Sequence, residues 1–361
     1  MEIRQPGVAR LVDDEEAAPA DGQFRVETLY SGLSAGTELT YFKGTNPFLH
    51  AAWDAQLGVF RHDRPATGFP VRSPGYMAVG RVVEARTSVV EVGELVASAH
   101  GHKSGHTVDP GRDRFFPVPA GLDPLLGIYV AHMGPICANG LLHAAADLAG
   151  TGPLRLGDGV RGRHVLVTGA GVVGLLVGLF ARHLGAADVL VADATPERLR
   201  AAEGLGLGTV DDADQTAWRA VKGRWRHGDG DRGADVAFQC RGRTAALAGA
   251  LRSLRPQGTV IDLAFYQGGA PDLALGEEFH HNGLSIRCAQ IARVPRGHAR
   301  QWDRRRLAAE TVELLCANGS ALGDHLVTDV VPFAEAPALL AEVAARRRHV
   351  IQAVFVHQRA G

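Results

Sequence analysis

The stretch "VLVTGAGVVG", Val165–Gly174, decides how the chain folds. An apolar strand runs straight into a turn with glycine at 169, 171 and 174, and "VVGLLVGLFARHLG" follows as a helix closed by Gly185. A GxGxxG pattern in this strand–turn–helix setting has a physical reading. Gly169 permits the tight turn, Gly171 lets a pyrophosphate approach the backbone, and Gly174 lets helix and strand pack closely. The helix N-terminus faces the phosphates with free N–H groups and the positive end of its dipole. Asp193 ends the next strand, "DVLVAD", 19 residues past Gly174, where a carboxylate accepts both hydroxyls of an adenosine ribose. A 2′-phosphate would be repelled there, so NAD is expected over NADP; Arg198 pulls slightly the other way. The rival reading is a glycine-rich turn with no ligand.

Working outward, "FRVETLYSGLSAG" and "GRVVEARTSVVEVGELVASA" alternate apolar and polar residues and break at glycine, so the first third reads as a twisted antiparallel or barrel-like domain. From Pro124 the spacing turns helical. Strands and helices then alternate through "ADVAFQC", "TVIDLAFY" and "LSIRCAQI", the rhythm of a doubly wound parallel sheet. The expected division is a dinucleotide-binding domain over 136–291, and a second domain from 1–135 with 292–361. The most loop-like internal stretch is "WRAVKGRWRHGDGDRGAD", residues 218–235.

Composition narrows the classes. The chain has 361 residues, 46% hydrophobic and 21% charged, which is enough for two ordinary globular domains. A net charge of −1 argues against a nucleic-acid or membrane partner. Cys137, Cys240, Cys288 and Cys316 are scattered, with no CxxC pair, which fits a reduced, cytoplasmic setting. The N-terminal "MEIRQPGVARLVDDEE" has no signal-peptide core, and the apolar run from Val165 to Ala181 is interrupted by glycines and reads as strand, turn and helix rather than a membrane span.

With the glycine turn in mid-chain and a strand-rich domain before it, the sequence resembles the medium-chain dehydrogenase/reductase superfamily over almost its whole length. "YSGLSAGTE", "SPGYMAVGRVVEA" and "GADVAFQCRGRTAALAGALRSLRPQGTVIDLAFY" carry the likeness. The phrases "SAGTE", "GY…VGRV" and "FHHN" are similar to a bacterial branch that includes bacteriochlorophyllide hydroxyethyl dehydrogenases. The resemblance implies an α/β fold: a Rossmann doubly wound parallel sheet plus a GroES-like β-rich catalytic domain. It also implies NAD(P) contacts at Val172, Val173, Cys240, Arg241, Phe265, Tyr266 and Ala289, and a homodimer paired through the edge strand "LSIRCAQI".

In the superfamily's zinc members a cysteine, a histidine and a third ligand hold the metal. Laid on this chain, those places fall at Ser34, Tyr76 and Met133, and the histidine's companion glutamate falls at Met77. None is a good zinc donor, so no zinc is expected. The four-cysteine structural lobe is also missing from "ASAHGHKSGHTVDPGRDRFFPVP", where His100, His102 and His106 read as solvated loop residues. Hydrogen-bond donors must then steady the developing charge. Tyr76 is a phenol donor or a ring filling the vacated metal volume. Ser34 and Thr37 offer hydroxyls, Glu38 reads as structural at a turn, and Tyr41 with Lys43 reaches the reaction site or is a surface pair. His132 is an acid–base group or a packed histidine. The segment 44–70, with Phe48, Trp53, Phe60 and His62, is expected to wall a substrate larger than ethanol.

These readings point to a zinc-independent, NAD(H)-dependent oxidoreductase. It would interconvert a secondary alcohol and a ketone on a medium-sized small molecule of secondary metabolism. The alternatives are reduction of a polarised C=C bond, and a non-catalytic NAD-binding protein.

Overall fold

The computed structural model describes residues 1–148, 152 and 154–357, and they divide into two compact units: 1–132 with the segment from Val327 onward, and 133–326.

The first unit is strand-rich, as alternation predicts. Its strands are β1 (Glu2–Gln5), β2 (Val8–Arg10), β3 (Phe24–Gly32), β4 (Ala52–Asp54), β5 (Val59–Arg61), β6 (Val71–Arg72), β7 (Ala78–Ala85), β8 (Leu95–Ser98), β9 (Gly105–Val108), β10 (Phe115–Pro117), β19 (Val327–Pro332) and β20 (Gln352–Val356), with helices α1 (Ala35–Phe42) and α9 (Ala336–Ala344). The largest sheet runs β10-β8-β7-β3-β20-β19, and β9 pairs with β3 off that path. Period-two burial puts Phe24 and Val26 of β3 into a core with Val82, Val96 and Val108. The β3–β7 register slips between Thr28 and Tyr30, and beyond the slip Ser31 and Gly32 are both buried. That irregularity turns a polar side chain inward where a plain strand would keep it out.

The second unit holds α2 (Met133–Leu148), β11 (His164–Thr168), α3 (Val172–His183), β12 (Asp188–Asp193), α4 (Pro196–Gly204), β13 (Gly208–Asp211), α5 (Ala217–Arg224), β14 (Arg226–Gly228), β15 (Asp231–Arg232), β16 (Ala234–Gln239), α6 (Thr244–Ser253), β17 (Leu254–Asp262), α7 (Glu278–His281), β18 (Ser285–Cys288) and α8 (Arg304–His325). Six parallel strands run in the order β13-β12-β11-β16-β17-β18, the doubly wound arrangement whose chain reversal falls between β11 and β16. Val165, Leu166 and Val167 of β11 are fully buried, each contributing about 1.5–3 kcal/mol by leaving water.

Two expectations need correction. The return to the first unit falls at Val327, not at 292, because the 22-residue helix α8 packs on α2 and α4. The outgoing boundary is at Met133 rather than 136. Residues 358–361, which close the sequence-based second segment, lie outside the described residues. The stretch expected to be most loop-like forms α5 and the β14–β15 hairpin, anchored by Trp225, whose buried indole N–H donates to Asp188 at 2.9 Å.

Candidate active site

Each unit brings together one group of the expected residues. In the second unit the glycine turn leaves the C-terminal end of β11. Gly169 has φ +99°, in the left-handed region where only glycine is unstrained. A Cβ on Gly174 would sit 1.9 Å from the Gly169 carbonyl oxygen, so the start of α3 rests directly on the turn's backbone. Gly171 caps α3, and a Cβ built on it meets nothing within 4 Å. That open space above a helix N-terminus is what a pyrophosphate needs, and these residues fit a dinucleotide. Val172 and Val173 open the helix, half-buried.

Asp193 differs from the expectation of a carboxylate reserved for ribose. It is buried, its Oδ2 accepts the Ala170 N–H at 2.8 Å and its Oδ1 accepts the Thr195 N–H at 2.9 Å. It therefore ties the glycine turn to the end of β12, and each oxygen keeps a further lone pair. Arg198 lies half-buried in the first turn of α4. Cys240 follows β16 with its thiol pushed up by burial, and Arg241 lies against the turn, its Cβ 3.0 Å from a Cβ built on Gly169.

The strand ends also carry a network missed in the sequence. The Thr168 hydroxyl donates to Gln239 Oε1, Gln239 Nε2 donates to the Tyr266 oxygen at 3.1 Å, and Tyr266 donates to Asp262 Oδ2 at 2.9 Å. Burial pushes the Asp262 carboxyl and the Tyr266 phenol up. The available signal was three apolar strands ending in Thr, Gln and Asp. Of the other expected contacts, Phe265 is 42% exposed, whereas Ala289 is buried and bonds only through its backbone, its N–H donating to the Asp262 carbonyl at 2.9 Å.

In the first unit, Tyr76 lies just before β7. Its phenol and the Ser34 hydroxyl hydrogen-bond each other, Thr37 Oγ1 is 3.3 Å from the same phenol oxygen, and the His132 ring centroid is 4.4 Å from that of Tyr76. Gly32 lets this segment close on the end of β3. Its N–H donates to the Met77 carbonyl at 2.7 Å, and a Cβ there would come 2.8 Å from Met77 Cε. Four expected residues thus meet: Ser34, Thr37, Tyr76 and His132. Tyr41 does not join them. It packs on the core around Phe42 and Leu339, where burial raises its phenol pKa, because it lies on the face of α1 turned to the core shared with α9.

The histidines read as solvated are not. His102 is fully buried, with Nε2 2.8 Å from Glu38 Oε2 and Nδ1 2.8 Å from Ser31 Oγ, which is 2.9 Å from His357 Nε2. His100 is buried between Thr28 (3.1 Å) and Ser98 (2.7 Å), and His106 lies 3.1 Å from Glu16. The segment between β8 and β9 folds back across β3, where Thr28 and Ser31 meet the rings of His100 and His102. Glu38, 1% exposed, also accepts the Ser34 N–H at 2.7 Å through Oε1. One donor direction serves the whole line: His357 N–H to Ser31, Ser31 O–H to His102, His102 N–H to Glu38. Burial holds His100 well below the usual histidine range, and burial with the neighbouring His102 pushes His357 down to about 3.

The segment 44–70 forms a short helical turn and the β4–β5 hairpin, on which Phe60 meets Phe48 and Trp53 edge-to-face at 5.2 and 5.1 Å, all three partly exposed. As for metal, the Ser34 hydroxyl and the Tyr76 phenol bond each other and are neither thiolate nor imidazole, while Met77 is fully buried beside Gly32. These residues do not fit a zinc ion.

A six-strand doubly wound sheet with this turn defines a dinucleotide-binding fold. A family model for zinc-binding dehydrogenases matches residues 172–301. The chain is 26% identical over 344 residues to D-guloside 3-dehydrogenase of Escherichia coli K12, covering 92% of each. In fold it is similar to galactitol-1-phosphate dehydrogenase of Escherichia coli (TM-score 0.75, 15% identity, 98% and 99% of the two chains). It is likewise similar to a zinc-binding dehydrogenase of Sinorhizobium meliloti bound to NADP (TM-score 0.70, 20% identity, 98% of each). Along its length the chain is thus similar to dehydrogenases, and its sheet and turn are those of their cofactor-binding domain.

Proposed function

We propose that the enzyme is a zinc-independent, NAD-dependent dehydrogenase that interconverts a secondary alcohol and a ketone on a medium-sized small molecule. The observation that carries this reading is the gathering of the Ser34, Thr37 and Tyr76 hydroxyls where the superfamily's metal ligands would fall. Support for a secondary alcohol comes from the guloside relative, named for position 3, a ring carbon that bears a secondary hydroxyl. The bound nicotinamide supplies the hydride acceptor. Tyr76 hydrogen-bonds the substrate oxygen, Ser34 and Thr37 hold the phenol in place, and His132 beside the ring takes up the proton released on oxidation. Asp193 favours NAD, although the Sinorhizobium structure carries NADP. The finer likeness to the bacteriochlorophyllide branch rests on the "SAGTE", "GY…VGRV" and "FHHN" phrases alone. Pairing of two copies along the outer edge of β18 is the dimer this reading expects.

Tyr76→Phe tests the proposal. It keeps the ring and removes the donor, so turnover should fall by about tenfold to a thousandfold while NADH affinity is unchanged. Treatment with a chelator should leave turnover unchanged. A stoichiometric zinc with chelator-sensitive turnover, or a silent Tyr76→Phe, overturns it.

A further inference from the structure

The N-terminal edge of the second unit's sheet carries a cluster that the proposed reaction leaves unused. His164 is the first residue of β11, Asp235 lies at the start of β16, and His227 sits in the β14–β15 hairpin between them in sequence. The glycine turn leaves the other end of β11, so this cluster is separate from the cofactor turn. One ligand atom from each of the three side chains lies within 4.8 Å of the other two, the one such grouping among the described residues. His164 Nδ1 is 3.8 Å from Asp235 Oδ2. Two ligands each about 2.1 Å from a tetrahedral zinc lie about 3.4 Å apart, so modest closing of the exposed hairpin completes the geometry.

Three further observations point the same way. His164 Nδ1 is buried and has no hydrogen-bond partner, as for a ring nitrogen whose lone pair is open to a metal ion. The ring is held in place by stacking on Trp225, with centroids 5.2 Å apart and planes 17° from parallel. The outer partners are those that ligands carry: His227 Nε2 donates to the Gly233 carbonyl at 3.1 Å, and Asp235 Oδ1 accepts from Arg255 Nη1 at 2.7 Å while Oδ2 accepts the His164 backbone N–H at 2.8 Å. The Arg255 charge is balanced by its second partner, Asp231.

We infer that His164, His227 and Asp235 form a binding site for a zinc-class divalent transition ion, with water in the remaining position. Two imidazoles and one carboxylate suit zinc, nickel or copper and disfavour magnesium, which takes oxygen ligands. The ion would clip the β14–β15 hairpin to the sheet edge.

Calorimetric titration of Zn²⁺ into chelator-treated full-length protein tests this. One ion should bind per chain, Mg²⁺ should give no heat, and Zn²⁺ should raise the melting temperature. His227→Ala alters an exposed side chain on the hairpin and leaves the fold and NADH affinity intact. It should weaken Zn²⁺ binding by at least about tenfold and remove the thermal shift. His164→Ala should do the same. Absence of Zn²⁺ uptake by the wild-type chain, or unchanged uptake in His227→Ala, overturns the inference.

Discussion

The glycine turn and the hydroxyl cluster are built from opposite materials. The turn is made of backbone: its shape follows from three glycines within six residues, and side chains matter mainly by their absence. The cluster around Tyr76 is made of side chains from positions 31, 34, 37, 38, 76, 102, 132 and 357, brought together by a strand irregularity and a buried line of hydrogen bonds. A backbone site fails by steric intrusion. A side-chain site fails by the loss of donors or by titration.

The largest test of that contrast is a pair of substitutions three residues apart. In Gly174→Val the new Cβ would meet a backbone carbonyl that has nowhere to go, and the expected outcome is loss of folded protein by circular dichroism. In Gly171→Val the Cβ meets no protein atom, so the melting temperature should stay near wild type while NADH binding, followed by fluorescence, disappears. Retained binding in Gly171→Val would show that this turn does not cradle a pyrophosphate.

Titration is the corresponding weakness of the first unit. His100 and His357 are buried with pKa values depressed below the unfolded 6.5, so below that pH the unfolded chain binds protons that the folded chain refuses. Stability should therefore be insensitive to these groups above about pH 6.5. It should fall as the pH drops from there, for His357 down to about 3, by up to about 1.4 kcal/mol per pH unit for each histidine. Denaturant unfolding from neutral pH downward measures the slope, and His357→Gln should flatten it. An unchanged slope in that variant would mean the ring already titrates normally.

The smallest effect is expected at Asp193. Asp193→Asn keeps an acceptor for one of the two backbone N–H groups of Ala170 and Thr195 and removes the charge, so the preference for NADH over NADPH should narrow by a few-fold. A wild-type chain that binds both equally would remove carboxylate repulsion as the source of selectivity.

The same contrast explains what was legible in the sequence. The turn, the alternating strands and helices and the strand-rich first third rest on local spacing, and local spacing is written in order. The meeting of Ser34, Thr37 and Tyr76 was visible only by laying the chain on a family pattern. The buried line from His357 to Glu38 was not visible, because a histidine between glycines reads as solvated until β3 is known to turn Ser31 inward. The domain return at Val327 was missed because the amphipathic pattern of α8 states that it has a buried face, not which unit covers it. The histidine–aspartate cluster was hidden in a stretch whose glycines and charges resemble a loop.

Glu38 also limits what else the cluster around it can hold. Its carboxylate is committed to a buried histidine and to the Ser34 amide, and Met77 fills the volume beside Gly32 where a companion glutamate would have to place a charge. Placing cysteine at 34 and histidine at 76 would add two ligand side chains to a scaffold whose neighbouring groups are already committed. Positions 34, 38, 76 and 102 therefore act as one unit: a change at any of them leaves a neighbouring polar group without its partner, and two of the four lie outside the positions that a motif comparison inspects.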